Sequence, residues 1–179
     1  MKTKILLLII ITLNTFMNSF SQDNESIITK TVNGNNYYIK HTKESQTFEI
    51  YREVLKDKFN GNFISADKMS LSMKHNVQEP IKALLSEKKK AYLNSQKTFI
   101  RMELKVNTKF KILGIYFSVP KDIFSTKDCD DTKITLKDLV KIEKLMEKET
   151  INGIMYDNSL YNTSVNGFGL LFVPIRFME

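Results

Sequence analysis

The chain has 179 residues, 26% of them charged and 42% hydrophobic, and carries a formal net charge of +7. That length suits one domain with a core of its own, and the charge is too dispersed for the concentrated basic stripe of a nucleic-acid surface, so no nucleic-acid partner is expected. One cysteine and two histidines leave no internal disulfide and poor material for a metal centre. Packing has to hold the fold, and twelve Phe and seven Tyr, with no Trp, supply its aromatic bulk.

Lys2 and Lys4 precede an apolar run from Ile5 to Leu13 that only Thr12 interrupts. Ser19-Phe20-Ser21 then places small residues three and one before a cut at Gln22. This is the layout of a secretory signal peptide over residues 1–21, and it predicts a periplasmic or secreted product. A spanning helix needs ~20 apolar residues, about twice what this run offers. No second run is long enough, and no cysteine near the cut could take a lipid, so no stable membrane anchor is expected after cleavage. The product, residues 22–179, reads as a single domain without repeats, low-complexity tracts or linkers.

Ile27 to Val32 and Tyr37-Tyr38-Ile39 are β-prone and flank Asn33-Gly34-Asn35-Asn36. They read as a hairpin or as two short extended pieces. Thr47 to Phe59 has helical spacing, with Phe48, Tyr51 and Leu55 on one stripe, Ile50 and Val54 beside it, and Asn60-Gly61 as a stop. Between 62 and 76, Phe63-Ile64 and the alternation Met69, Leu71, Met73 fit either a short strand or a loop over the core. A helix with Pro80 in its first turn follows, with Val77, Ile81, Leu84, Leu85, Lys88 and Tyr92 at helical intervals and an end at Asn94-Ser95. The Lys88-Lys89-Lys90 cluster reads as the solvated face of that helix.

Ile100, Met102, Leu104 and Val106 alternate with Arg101, Glu103, Lys105 and Asn107, which predicts a half-buried strand with one wet face. Asn107-Thr108-Lys109 can turn the chain into a second strand, Phe110 to Val119. Its apolar phase slips at Leu113-Gly114, the mark of a bulge, and Pro120 closes it. After a polar loop, Thr135-Leu136-Lys137-Asp138 forms a capping box for a helix to about Thr150. Leu136, Leu139, Val140, Ile142, Leu145 and Met146 face inward, with Lys137, Lys141, Lys144 and Lys148 outside. Residues 152–167 read as loop. The final apolar run, Phe168 to Phe177, predicts a strand covered on both faces, with Phe172 in the core and Pro174 at an edge or bulge. The sum is an α+β domain: a mostly antiparallel sheet with two or three helices packed on one face.

Chemistry is sparse. Neither His41 nor His75 has a second ligand at a useful interval. Counting an EF-hand loop from Asp128 puts Lys133 and Leu139 where glycine and glutamate are required, so Asp128, Asp130 and Asp131 read as a solvated loop. Cys129 lies among those acids, which raises a thiol's pKa, and reads as a bystander, with an intermolecular bridge left open. Glu49 and Glu53, four apart on the expected helix, read as a charged face. No G-x-S-x-G elbow exists, and Gly167 and Gly169 precede a strand, not a phosphate-binding helix. Tyr37, Tyr38, Phe48, Tyr51, Phe110, Tyr116 and Phe117 serve either as core or as the lining of a cleft between sheet and helices. No catalytic, cofactor-binding or metal-binding residue stands out, and no cofactor is expected.

Phe99 to Val119, the Thr135-initiated helix and the closing Val173-Pro174-Ile175-Arg176-Phe177 together resemble the β-β-α-β module at the C-terminus of TonB-like proteins. Versions of that module occur in small exported proteins of the Bacteroidetes type. The resemblance covers roughly residues 80–179. It implies a fold and a mode, a sheet edge that accepts a partner's strand through main-chain hydrogen bonds. With three prolines in all and no Pro-rich spacer, and with Asn107-Thr108-Lys109 in place of the usual Asp-Gly turn, it does not extend to energy transduction. The expectation is an exported, non-enzymatic protein-interaction module of the cell envelope that binds an envelope protein or its own copy. The alternative is a small-ligand or cell-wall-fragment binder with an aromatic cleft, and the third reading is a hydrolase built around His41 or His75.

Overall fold

Alternation of apolar and polar residues decides the largest element. The computed structural model describes residues 25–53, 63–65, 67–156 and 168–177. The expected signal peptide, the second half of the expected 47–59 helix and most of the 152–167 loop lie outside them. The described chain is mixed α/β, with a mostly antiparallel sheet and three helices. Strands β1 (Glu25–Val32), β2 (Asn35–Thr42), β3 (Thr47–Arg52), β5 (Phe99–Asn107), β6 (Ile112–Pro120) and β10 (Phe168–Arg176) form one six-stranded sheet in the order β1-β2-β3-β6-β5-β10. Strand β4 (Met69–Met73) pairs with β9 (Ile151–Met155), and the short β7 (Phe124–Ser125) runs parallel to β8 (Ile134–Thr135).

The β1–β2 hairpin forms as expected. Asn33 and Gly34, at φ 51° and 77°, both adopt the left-handed conformation that matches a tight two-residue turn to the strands' twist. The β5–β6 hairpin also forms, closed by Asn107, whose Oδ1 accepts from the backbone N–H of Lys109 (3.0 Å) and Lys111 (2.9 Å). Phe110 belongs to the turn rather than to the strand. The bulge sits where the phase slips: Lys105 opposes Gly114 and Val106 opposes Ile112, which leaves Leu113 as the extra residue.

One row of directly opposed residues, Ile28, Ile39, Ile50, Phe117, Met102 and Val173, crosses all six strands on the core side. From Ile39 to Val173 its members join one cluster with Ile81 of α1 (Gln78–Ala83), Leu93 of α2 (Glu87–Ser95), and Leu139, Ile142 and Met146 of α3 (Leu136–Met146). The other sheet face carries the polar halves of the alternation.

Five expectations are corrected. Thr47–Arg52 is a strand, not a helix. Its Thr, Phe, Ile and Tyr favour a pleated surface, and it fills the slot between β2 and β6, hydrogen-bonded on both sides as no helix could be. The helical stripe Phe48, Tyr51, Leu55 is a coincidence of spacing, since Phe48 and Tyr51 point to opposite faces. The helix expected from Pro80 to Ser95 is two helices, because the Ser86 side chain accepts from Lys89 N–H and starts α2 afresh. That new register turns Lys89, not Lys88, inward. Residues 151–155 form β9 rather than loop, and α3 stops at Met146, short of Thr150. Finally, Phe172 is not in the core. The strand's parity buries Val173 and Ile175 and leaves Phe172 46% exposed, with the Arg101 guanidinium 4.1 Å from its ring centre.

Two ion pairs sit inside this packing. The capping box forms, with Thr135 N–H (2.9 Å) and Oγ1 (2.8 Å) both donating to Asp138 Oδ2, and the same buried carboxylate takes Lys89 Nζ from α2. Deeper along α3, Glu143 accepts from Tyr37 OH of β2 (2.6 Å) and pairs with Arg52 of β3 (2.9 Å).

Three stability measurements follow from this placement. Ile50→Ala is expected to cost about 2–5 kcal/mol by denaturant unfolding, because it opens a cavity in the middle of the core row. Phe172→Asp is expected to leave a cooperatively folded protein with a nearly unchanged melting midpoint; loss of folding would return that ring to the core. Glu143→Ala, which leaves the Tyr37 hydroxyl without its acceptor and Arg52 with Glu147 alone, is expected to cost about 1–3 kcal/mol.

Candidate functional site

The two edges of the six-stranded sheet differ. The β10 edge is capped near both ends. Pro174 has no N–H to offer, and its carbonyl accepts from Gln78 Nε2 (2.5 Å), while Arg176 N–H donates to Gln78 Oε1 (3.0 Å). At the other end of the strand Ile64 N–H donates to the Phe168 carbonyl (2.8 Å). One glutamine side chain thus acts as a short mock strand at one end of β10, and Ile64 occupies the other end.

The β1 edge has none of these devices. It is eight residues long, without proline, and pairs with β2 in unbroken register from Glu25↔Thr42 to Val32↔Asn35. Among the described residues no backbone group hydrogen-bonds to its outer side. Ser26, Ile27, Ile28, Thr29 and Thr31 are all exposed, Ile27 at 53% and Ile28 at 39%. The cation on this strand's core side, Lys30, is held by Asp128 at 2.7 Å. An unpaired, flat strand with apolar side chains on both faces is a template for another strand.

The sheet face away from the core carries a second feature. The row Thr29, Tyr38, Tyr51, Tyr116, Glu103, Phe172 crosses it. Ring centres lie 5.7 Å apart for Tyr38–Tyr51 and 4.9 Å for Tyr51–Tyr116. Lys105 Nζ stands 4.6 Å from the Tyr116 ring centre. A shallow depression of about 310 Å³ lies beside the row, lined by Glu49, Arg101, Glu103, Tyr116 and Ser118. Burial, then the neighbouring Tyr51 and Glu103, push the Tyr116 phenol up to about 12. Burial raises Tyr51 and lowers Lys105.

Of the two readings of the aromatic residues, core or cleft, no cleft between sheet and helices is formed by them. Tyr37 and Phe117 are core. Phe48 packs on Phe124 and His41, at 5.1 and 5.2 Å between ring centres. Phe110 lies over Gly153, where any Cβ would collide with its ring at 2.1 Å. Only Tyr38, Tyr51 and Tyr116 of the seven form a group on one surface.

The remaining candidates stay apart. His41 Nδ1 is 3.4 Å from Ser26 Oγ, and His75, largely exposed, is 3.6 Å from Glu149. No group of three or more potential metal ligands occurs among the described residues. Cys129 is exposed and free. Asp130 is a turn residue: the backbone N–H of Lys133 (2.8 Å) and Thr132 (3.0 Å) donate to it and hold its carboxyl well below the usual range. Glu49 and Glu53 lie on and just beyond a strand; Glu53 accepts from Asn36 (2.8 Å) and Tyr38 OH (2.6 Å). Sequence reading missed the open β1 edge, although the adjacent Ile27-Ile28 pair, apolar on both faces of a strand near a terminus, was its visible sign. Nothing in the sequence marked Gln78 as the cover of β10.

No helix among the described residues is long and apolar enough to cross a membrane. No family model matches the chain, and no curated protein matches it. A solved structure of similar fold is a DUF5043 family protein from Bacteroides uniformis ATCC 8492, with a TM-score of 0.60 and 11% identity, over 86% of this chain and 87% of that one. At that identity the likeness is one of fold.

The tyrosine row has a pH signature. Folding raises the Tyr116 pKa from 10.0 to about 12, so the folded state keeps a proton that the unfolded chain loses. The associated stability is complete below pH 10 and falls as pH rises through about 12. Absorbance titration of tyrosinate should show late-ionising phenols, and Tyr116→Phe should remove part of the alkaline loss of stability. Identical alkaline unfolding curves for the variant and the parent would contradict this burial.

Proposed function

We propose that this chain is an exported, non-enzymatic interaction module of the cell envelope that accepts an extended strand along β1. The observation that carries the reading is the contrast between the edges: β10 is capped near its ends by Pro174, Gln78 and Ile64, while among the described residues no backbone group hydrogen-bonds to the outer side of β1. Strand addition derives affinity from main-chain hydrogen bonds and selectivity from alternate side chains, here Ile27 and Thr29 on one face and Ile28 on the other. The segments on which the TonB-like resemblance rests form β5, β6, α3 and β10, and that resemblance implies strand acceptance as a mode of binding, though β1 itself lies outside them. Export rests on the basic, apolar and small-residue succession from Lys2 to Ser21, and a cut at Gln22 would place the new terminus just before β1.

A second reading, a binder of small ligands or cell-wall fragments, draws on the row Tyr38, Tyr51, Tyr116 and its adjoining depression. It ranks lower because those rings pack against one another instead of converging on an enclosed pocket.

Neighbouring residues of a strand point their amides to opposite sides, so of Ile28→Pro and Thr29→Pro one removes an amide bonded to β2 and the other an outward amide. The outward variant should keep the parent's melting midpoint and lose capture of partners from envelope extract. Capture that survives in both variants would end the strand-acceptance reading. Mature protein recovered from outside the cytoplasm should begin at Gln22 by N-terminal sequencing; a product that keeps Met1 and stays in the cytoplasm would contradict export.

A further inference from the structure

We infer that the strand filling the β1 edge is β1 of a second copy of this chain, joining two six-stranded sheets across a two-fold axis. This rests on the reading of β1 as a strand-accepting edge and names its occupant. A two-fold axis between side-by-side antiparallel strands must stand perpendicular to the sheet, so both helix layers lie on the same side and residues of like facing pair with each other. That condition restricts the register to a few choices.

Centred on Ile28, the pairing sets Ile28 against its own copy, Ile27 against Thr29 and Ser26 against Lys30, from Glu25 to Thr31 on each chain. Centred on Lys30 it would oppose two like charges, and centred on Ile27 it would shorten the overlap to Glu25–Thr29. The Ile28 register also continues what the sheet has begun. Ile28 starts the core-side row that runs through Ile39, Ile50, Phe117, Met102 and Val173, yet it is 39% exposed where the other five are buried. A second Ile28 beside it covers that apolar surface with the same residue type the row already uses. Lys30, the charge that would oppose an approaching strand from the core side, is engaged by Asp128 at 2.7 Å. The edge is thus complementary to itself in main-chain hydrogen bonding and apolar pairing, with its one core-side cation already neutralised within the chain, and no foreign sequence is needed to satisfy it.

The test uses protein purified from cells expressing the full chain. Light scattering should give twice the mass of one chain, and whichever of Ile28→Pro and Thr29→Pro leaves melting unchanged should give the single-chain mass. In a Cys129→Ser background, Ile28→Cys should form a covalent dimer under oxidised glutathione at least about tenfold faster than Lys30→Cys, because only the central pair brings the two Cβ atoms within disulfide reach. Equal cross-linking at both positions, or a dimer that persists in the outward-proline variant, would overturn the proposal. A single-chain mass for the parent at all concentrations would also overturn it. If that monomer still captures an envelope protein through β1, strand acceptance survives and only the identity of the occupant is wrong. If its capture is indifferent to both prolines, the two readings fall together.

Discussion

Glu143 sits 2% exposed on the buried side of α3, and the geometry of the N-terminal half follows from what neutralises it. A carboxylate cannot stay charged in such a place without partners. Its partners come from two adjacent strands, Tyr37 of β2 and Arg52 of β3. Burial and the bond to Glu143 push the Tyr37 phenol well above its ordinary range. Burial alone would lower the Arg52 guanidinium, but Glu143 and then Glu147 at 2.6 Å more than offset it and raise it. Both donors face α3 only if β2 and β3 are paired in the observed register, Tyr37 opposite Arg52. A slip of one residue between β2 and β3 would put Tyr37 and Arg52 on opposite faces, so that only one of them could reach α3. The single requirement to cover one charge therefore fixes register, strand orientation and the seat of the helix together.

The Lys89–Asp138 pair does the equivalent work between α2 and α3, and it reuses a carboxylate already engaged in capping. Buried ion pairs of this kind contribute less to net stability than to selecting one arrangement, since the desolvation cost of both ions offsets most of their attraction. Apolar packing of the six-strand row against three helices supplies the bulk of the stabilisation. The charged pairs exclude other ways of laying those helices down.

Once the interior is so constrained, the exterior difference between the two edges acquires meaning. A sheet exposes two rows of unpaired main-chain groups, and proteins disable rows they do not use. Here three devices cap the ends of β10, whereas β1 retains eight residues of regular backbone with isoleucine on each face. The tyrosine row on the wet face stiffens the central strands by stacking and by the cation above Tyr116.

Much of this molecule can be read from local pattern. The alternation at Ile100–Val106, the bulge at Leu113, the turn at Asn107, the capping box at Thr135 and the hairpin at Asn33-Gly34 each depend on residues within a few positions of one another, so the chain's own order encodes them. What needed the folded structure were relations between distant residues. Thr47–Arg52 has apolar spacing that fits two periods, and only neighbouring strands on both sides select the extended one. Phe172 lies in a run apolar throughout, so its facing depends on the register with β5, and Arg101 makes the exposed ring tolerable. Glu143 and Arg52 look like surface charges until a helix and a strand bring them together. The same holds for the edges: chain order shows where strands occur, but which strand ends up outermost, and whether a glutamine nearly a hundred residues away covers it, is settled by the topology of the whole sheet.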